Sequence, residues 1–201
     1  MQKVHKGDYG YFQSEKKRRL IITAVLFAVP LLIFFTGWIY FQSRASICTV
    51  IAVVGCLPAR KSLVGLIMIF RCANMDPKLY ETIRNRAKNL TMSYEMYVTF
   101  YEKSGYIDAF AICGNVVAGY SSSKKIDAAF MEKEIEKILR KNGYAVTVKI
   151  FTGLNSYLER LDSLVEHKDS LESKIEFKPN EQYPDLSRNE LIKHTILAIS
   201  L

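Results

Sequence analysis

From Leu20 to Tyr40 the chain runs through twenty-one residues without a single Asp, Glu, Lys, Arg or His. As a helix rising about 1.5 Å per residue, this run is roughly 31 Å long, the thickness of a bilayer's hydrocarbon core. Pro30 at its centre predicts a bend rather than a stop, and Trp38 and Tyr40 suit the interfacial aromatic belt. Lys16, Lys17, Arg18 and Arg19 precede the run, as they would in a secretory leader. The apolar part is longer than a leader's, however, and no small-x-small cleavage site follows, so the run reads as a retained span.

A second apolar run opens at Ile47, is interrupted at Pro58, Arg60 and Lys61, and resumes from Leu63 to Phe70. Two geometries fit. Ile47–Phe70 is one tilted span whose cations snorkel to the near headgroups, or the span ends near Pro58 and Leu63–Cys72 lies in the interface. Both bring Arg60 and Lys61 to one interface as anchors. Charge then sets the expected sidedness. Residues 1–19 hold six Lys/Arg and two acids, residues 20–75 add Arg44, Arg60, Lys61 and Arg71 with no acid, and residues 76–201 balance eighteen of each. The whole excess of +8 therefore lies around the apolar runs, with Lys16, Lys17, Arg18, Arg19, Arg60, Lys61 and Arg71 as topology anchors. The positive-inside rule predicts a cytoplasmic amino terminus, an outer loop at Phe41–Ser46 and a cytosolic carboxy-terminal domain. A pI near 9.2 is thus explained by anionic lipid, and a nucleic-acid partner is not implied.

The expected organisation has three parts. Residues 1–19 form a basic, flexible cytosolic flank, 20–72 a transmembrane hairpin with spans at about 20–40 and 47–70, and 76–201 a soluble α/β (α+β) domain. Cys48, Cys56, Cys72 and Cys113 lack C-x-x-C spacing, which argues against a disulfide framework or zinc site.

Within the domain the predicted order is α-β-β-β-α-β-α-α. Asp76 and Pro77 mark a helix start. Tyr94–Tyr101 alternates as a strand. Ile107–Cys113 and Val116–Ser121 flank Gly114-Asn115, a type II′ hairpin turn, which sets Cys113 opposite Val116 and Asp108 opposite Ser121. Ser123 is the expected cap of a helix carrying Met131, Ile135, Ile138 and Leu139, stopped at Asn142-Gly143. Ala145–Phe151 is a strand, and the helix from Leu154 is expected to run on through the charged stretch to Ile175. Phe177–Leu186, with Pro179 and Pro184, reads as a linker. Ser187 and Glu190 form a capping box for a last helix, 187–201. Its apolar residues wrap most of its circumference, so it must be buried against the domain, the anchor or a partner. Leu191, Ile192, Ile196 and Ile199 are the candidate partner-binding residues.

The element order from Pro77 to Phe151 resembles the PD-(D/E)XK nuclease-like core. That resemblance implies an acid on the second strand and an acid-x-lysine on the third, holding Mg²⁺ and activating water. Asp108 matches the first acid. Ser121 and Ser123 stand where the acid and lysine belong, followed by Lys124 and Lys125, so the resemblance implies a degenerate or rearranged site. Among catalytic residues Asp108 is the single candidate. His5, His167 and His194 lie outside the expected strands, and Cys113 reads as a buried thiol. Neither a metal nor another cofactor is indicated. The stretches VHKGDYGY, GCLPARKS and YPDLSRNELIKH are similar to uncharacterised small two-span membrane proteins of anaerobic Gram-positive bacteria. That similarity implies a bacterial plasma membrane and no particular activity. The sequence favours a non-enzymatic, membrane-anchored domain that binds another protein, with homo-oligomers compatible. Its alternatives are a membrane-tethered metal-dependent nuclease or phosphodiesterase, and a hairpin subunit of an oligomeric transporter.

Overall fold

The computed structural model describes residues 4–41, 47–123, 125–173, 175, 177, 183 and 185–201. Of the loop expected at Phe41–Ser46, Phe41 ends a helix and residues 42–46 (with Arg44) lie outside the described residues, as do Lys124 and most of the linker with Pro179 and Pro184. The chain divides into two units, residues 12–73 and residues 1–11 with 74–201.

The first unit is an antiparallel helical hairpin, α1 (Tyr11–Phe41) and α2 (Ile47–Arg71). Both helices are long and apolar enough to cross a membrane. Buried positions recur every seven residues, at Thr23, Pro30 and Gly37 on α1 and at Ala52, Ala59 and Leu66 on α2. This is the seam of two helices packed at a small crossing angle. Small side chains allow the close approach: a Cβ on Gly55 would lie 3.2 Å from Pro30 Cγ. Thr23 Oγ1 and Ser62 Oγ hydrogen-bond across the seam at 2.7 Å. The outer surface exposes Leu20, Ile21, Val25, Leu32, Ile51, Val54 and Val64, an apolar surface of the kind that suits lipid contact.

α2 passes unbroken through Pro58, which favours the single-span geometry over a stop at that residue. Arg19 donates to the Gly65 carbonyl at 3.3 Å and Lys16 to the Cys72 carbonyl at 2.8 Å. Arg60 and Lys61, both exposed, lie four to five residues from Gly65, about 6–8 Å along the axis. A snorkelling side chain spans that distance.

The second unit is a three-layer α/β/α domain. Its elements are α3 (Pro77–Ala87), β1 (Thr91–Thr99), β2 (Ser104–Cys113), β3 (Val116–Tyr120), α4 (Ala128–Lys141), β4 (Thr147–Phe151), α5 (Leu154–Glu166), α6 (Lys168–Glu172) and α7 (Arg188–Ala198). The sheet order is β1-β2-β3-β4, antiparallel except for β4, which runs parallel to β3. α4 and α7 cover one face with a core of Ile107, Phe110, Ile112, Val117, Met131, Ile135, Leu139 and Ile192. α3 and α5 cover the other, around Ile83, Ala109, Ala111, Tyr157 and Leu161.

Several local expectations shift. The first nineteen residues are not one flexible flank, because α1 already begins at Tyr11 and Lys16–Arg19 are helical. Residues 4–10 pack into the α/β domain: the Tyr94 amide donates to Gly7 O at 2.8 Å, and Tyr9 stacks on Tyr80 with centroids 4.0 Å apart. Asp127, not Ser123, caps α4, accepting from the Phe130 amide at 3.1 Å. The long helix from Leu154 closes at His167, and α6 follows as a separate turn. β1 starts three residues early and ends at Thr99, where the Phe100 amide bonds Lys103 O to close the turn.

An open sheet has two edges, and each must be covered or paired. On β4 the outward amides of Val148 and Ile150 donate to Glu136 Oε1 (2.8 Å) and Glu132 Oε1 (2.7 Å). Four residues of helix and two of strand both advance about 6 Å, so the two carboxylates meet alternate amides. On β1, Gly7 covers Tyr94. The segment after α7 covers Tyr97 to Thr99, through Leu201 N–H to Tyr97 O (2.8 Å), Thr99 N–H to Ile199 O (3.4 Å) and an antiparallel bridge between Val98 and Ser200.

Candidate functional site

Asp108 lies two per cent exposed in β2, one step beyond the last β2–β3 pair, Ala109 with Tyr120. The register therefore sets Glu95, Asp108 and Ser121 side by side across three strands, all buried. Carboxylates in such a place need partners. Asp108 Oδ2 accepts from the Ser122 amide at 2.6 Å, while Glu95 Oε1 accepts from the Met75 amide at 3.1 Å. The two acids are neighbours in register but serve separate backbone amides. Ser121 Oγ donates to Tyr106 O at 2.6 Å and accepts from the Ser123 amide, which fixes the loop leaving β3.

Glu95 has φ of +49°, a left-handed conformation uncommon for a side chain with a Cβ. It reverses the pleat. Met92 and Tyr94 pack toward α3 and α5, whereas Met96 and Val98 pack toward α4 and α7. β2 switches likewise between Ile107 and Ala109, so the acids sit where both strands change faces.

Tyrosines surround this crossing. Tyr120 and Tyr157 stack at 5.5 Å, and Tyr80 meets Tyr94 edge-on at 5.0 Å. Burial raises the Asp108 pKa, against the opposing pull of the Ser122 amide and hydroxyl. Burial pushes the Tyr94 phenol up to about 12 and raises Tyr120 and Tyr157 as well. The Tyr157 hydroxyl is fully buried with no hydrogen-bond partner among the described residues.

Neither a family model, a curated protein nor a solved structure matches the chain. The reading of the site rests on its own geometry. No group of three His, Cys, Asp or Glu among the described residues could hold a metal ion. Ser121 and Ser123 form the β3 exit loop, and Cys113 is a buried thiol with a pKa raised to about 11 by desolvation. His5 and His194 line one open cleft of about 590 Å³ with Lys6, Asp8, Glu190 and Lys193, away from Asp108. Leu191, Ile192 and Ile196 are core residues with at most four per cent exposure, and Ile199 packs half-buried beside them. The candidate partner face of α7 is thus turned inward, because the sheet supplies the apolar surface it needs. Glu95 and the Tyr9–Tyr80–Tyr94 stack carry no sequence signal: a Glu between Tyr and Met fits an unbroken alternating strand equally well.

Two expected outcomes follow from the site. A carboxyl whose folded pKa is raised is most favourable to folding below its unfolded value of about 3.9, and that contribution is lost as pH rises through the folded value. Asp108→Asn keeps an acceptor for Ser122 without a charge to bury. The variant should gain stability relative to the parent as pH rises from 3 to 7, reaching a plateau near neutrality in paired thermal melts. Tyr157→Phe removes an unpaired buried hydroxyl and should stabilise the domain by about 1 kcal/mol in denaturant titrations; a loss of that size would mean the hydroxyl is bonded.

Proposed function

We propose that the chain is a multi-pass plasma-membrane protein that holds its α/β domain on the cytosolic side as a non-catalytic module for binding another protein. The observation that carries this reading is the use of Asp108 and Glu95. Each buried acid accepts from a backbone amide of its own, Asp108 from Ser122 and Glu95 from Met75, which gives both a structural use. The sidedness rests on the basic residues. Lys16–Arg19 and Arg71 lie near one end of the hairpin and Arg60 and Lys61 about three turns further along α2 from Arg71, within snorkelling reach of the level of Arg19 and Gly65, as topology anchors facing anionic headgroups. The exposure of Arg60 and Lys61 on the outside of the seam fits anchoring better than a transport pathway.

In a chain whose four native cysteines are replaced by serine, Ser43→Cys should react with an impermeant maleimide in intact cells. Tyr101→Cys should react after lysis alone. Labelling of Tyr101→Cys in intact cells would overturn the orientation.

A nuclease-like ancestry is supported by the succession of helix, three-strand meander, crossover helix and parallel fourth strand, with Asp108 on the second strand. Incubating the full chain with Mn²⁺ and nucleic acid tests whether activity survives. Asp108-dependent cleavage would replace the non-catalytic reading.

A further inference from the structure

Arg60 and Lys61 differ from the other cations of the hairpin in depth and in company. Thr23 Oγ1 bonds Ser62 Oγ and Arg19 donates to Gly65 O, which sets Arg60 and Lys61 level with the uncharged run of α1 that opens at Leu20. At about 100° per residue they fall on the side of α2 turned away from the seam residues Ala52, Ala59 and Leu66, in one outward stripe with Val53, Leu57 and Val64. Charged side chains within a span ordinarily face a bundle interior and pair with one another or with backbone carbonyls. Lys16 and Arg19 do so, on Cys72 O and Gly65 O. Arg60 and Lys61 are exposed, and neither has an ion-pair or hydrogen-bond partner among the described residues. The hairpin holds no counter-charge for them. Residues 12–73 contain one acid, Glu15, which Arg19 holds at 2.9 Å and Arg18 at 3.5 Å. The hairpin of a second copy packed on this face would bring the same cations and the same lack of acid.

We infer that Arg60 and Lys61 form a binding site for one anionic phospholipid, whose phosphate supplies their missing counter-charge and whose acyl chain lies along Val53 and Leu57. An arginine and a lysine on successive residues offer the phosphate a fork of N–H donors beside a compact point charge. Their stems carry both charges past Val64 toward the level of Gly65, where a headgroup sits. Deeper along the same stripe Val50, Val53 and Leu57 are exposed and apolar. The face therefore suits a negative head joined to an apolar tail, and free phosphate meets only the first demand. A zwitterionic headgroup brings an ammonium of its own to two cations and is disfavoured. The inference rests on the membrane-spanning part of the proposed function and deepens it, from a signal for sidedness to a selective contact with lipid.

Native mass spectrometry of the full chain in mild detergent, titrated with phosphatidylglycerol or with phosphatidylcholine, tests the site. One phosphatidylglycerol should be retained at concentrations where phosphatidylcholine is not. A cation near a lipid headgroup contributes about fivefold, so Arg60→Gln combined with Lys61→Gln should weaken that retention by roughly twenty-five-fold. The exchange Arg60→Lys with Lys61→Arg keeps both charges and should keep the lipid. Lys133→Gln with Lys141→Gln removes the same charge from the exposed side of α4 and should leave retention unchanged. Equal retention of the two lipids by the parent chain overturns the site without recourse to any variant. An adduct indifferent to the loss of both cations overturns it too, as does an exchange variant no better than the glutamine pair. Displacement of the lipid by excess inorganic phosphate would make free phosphate the ligand and overturn the lipid assignment. Alkaline carbonate extraction separates this inference from the reading beneath it. A chain that stays in the membrane yet retains no phosphatidylglycerol overturns the site alone, whereas a chain released without detergent overturns the membrane-spanning reading as well.

Discussion

Ile192→Ala is expected to lower the unfolding free energy of the α/β domain by about 2–5 kcal/mol, the range for emptying a fully buried branched side chain. Ile192 is without solvent exposure and belongs to the core that α7 shares with the sheet, alongside Met96, Val98 and Ile112. The readout is hydrogen exchange of the slowest β2 amides in the full chain in mild detergent, which should accelerate by between two and three orders of magnitude, roughly, for a mid-range loss. Had α7 offered these residues to a partner, the same change would weaken association and leave β2 protected. A protected β2 in Ile192→Ala would therefore return α7 to the docking surfaces.

Gly114→Ala should cost nearly as much, about 2–5 kcal/mol, from two sources. Gly114 has φ of +57°, as the first position of a II′ turn requires, and alanine disfavours that conformation. Its new Cβ would also lie 2.8 Å from the Leu171 carbonyl oxygen, a backbone atom that does not rotate away. The turn is gripped from α7 as well: Asn189 Oδ1 accepts from the Gly114 amide at 3.1 Å, and Arg188 donates to Gly114 O and to Asn115 Oδ1. Gly143→Ala is the control. Gly143 has φ of +86° with nothing within 4 Å, so it should lose about 1 kcal/mol from conformation alone. Thermal melts that ranked the two variants equally would mean the Leu171 contact yields freely.

What sequence reasoning could read was local. The apolar length of Leu20–Tyr40 needs no periodicity, and Gly114-Asn115 and Ser187 with Glu190 bring their own turn and cap chemistry. The register that set Cys113 against Val116 follows from turn length alone and is the register found. What could not be read was non-local. Asp127 takes the cap because Ser121 already holds the Ser123 amide and Lys103 reaches Asp127 from the β1–β2 turn at 2.6 Å. Glu95 lies in an alternating run that gives no sign of its left-handed backbone. Residues 4–10 look like a polar tail because their fit depends on one glycine, one stacked ring and one lysine meeting elements about seventy to two hundred positions away. Asp108 was legible as a lone acid on the second strand. Its commitment to Ser122, and that of Glu95 to Met75, were not.

The seating of residues 4–11 within the α/β unit has a practical bearing on any soluble version of it. A fragment begun at residue 75 would be missing a staple of its own architecture, leaving the Tyr94 amide and Ser200 carbonyl bare and the Tyr80 ring without its stacking mate. Grafting residues 4–11 onto such a fragment through a glycine-rich bridge should restore what truncation takes away. Likewise, a single protease nick at Ala73 would leave the severed body clinging to the peptide it was cut from.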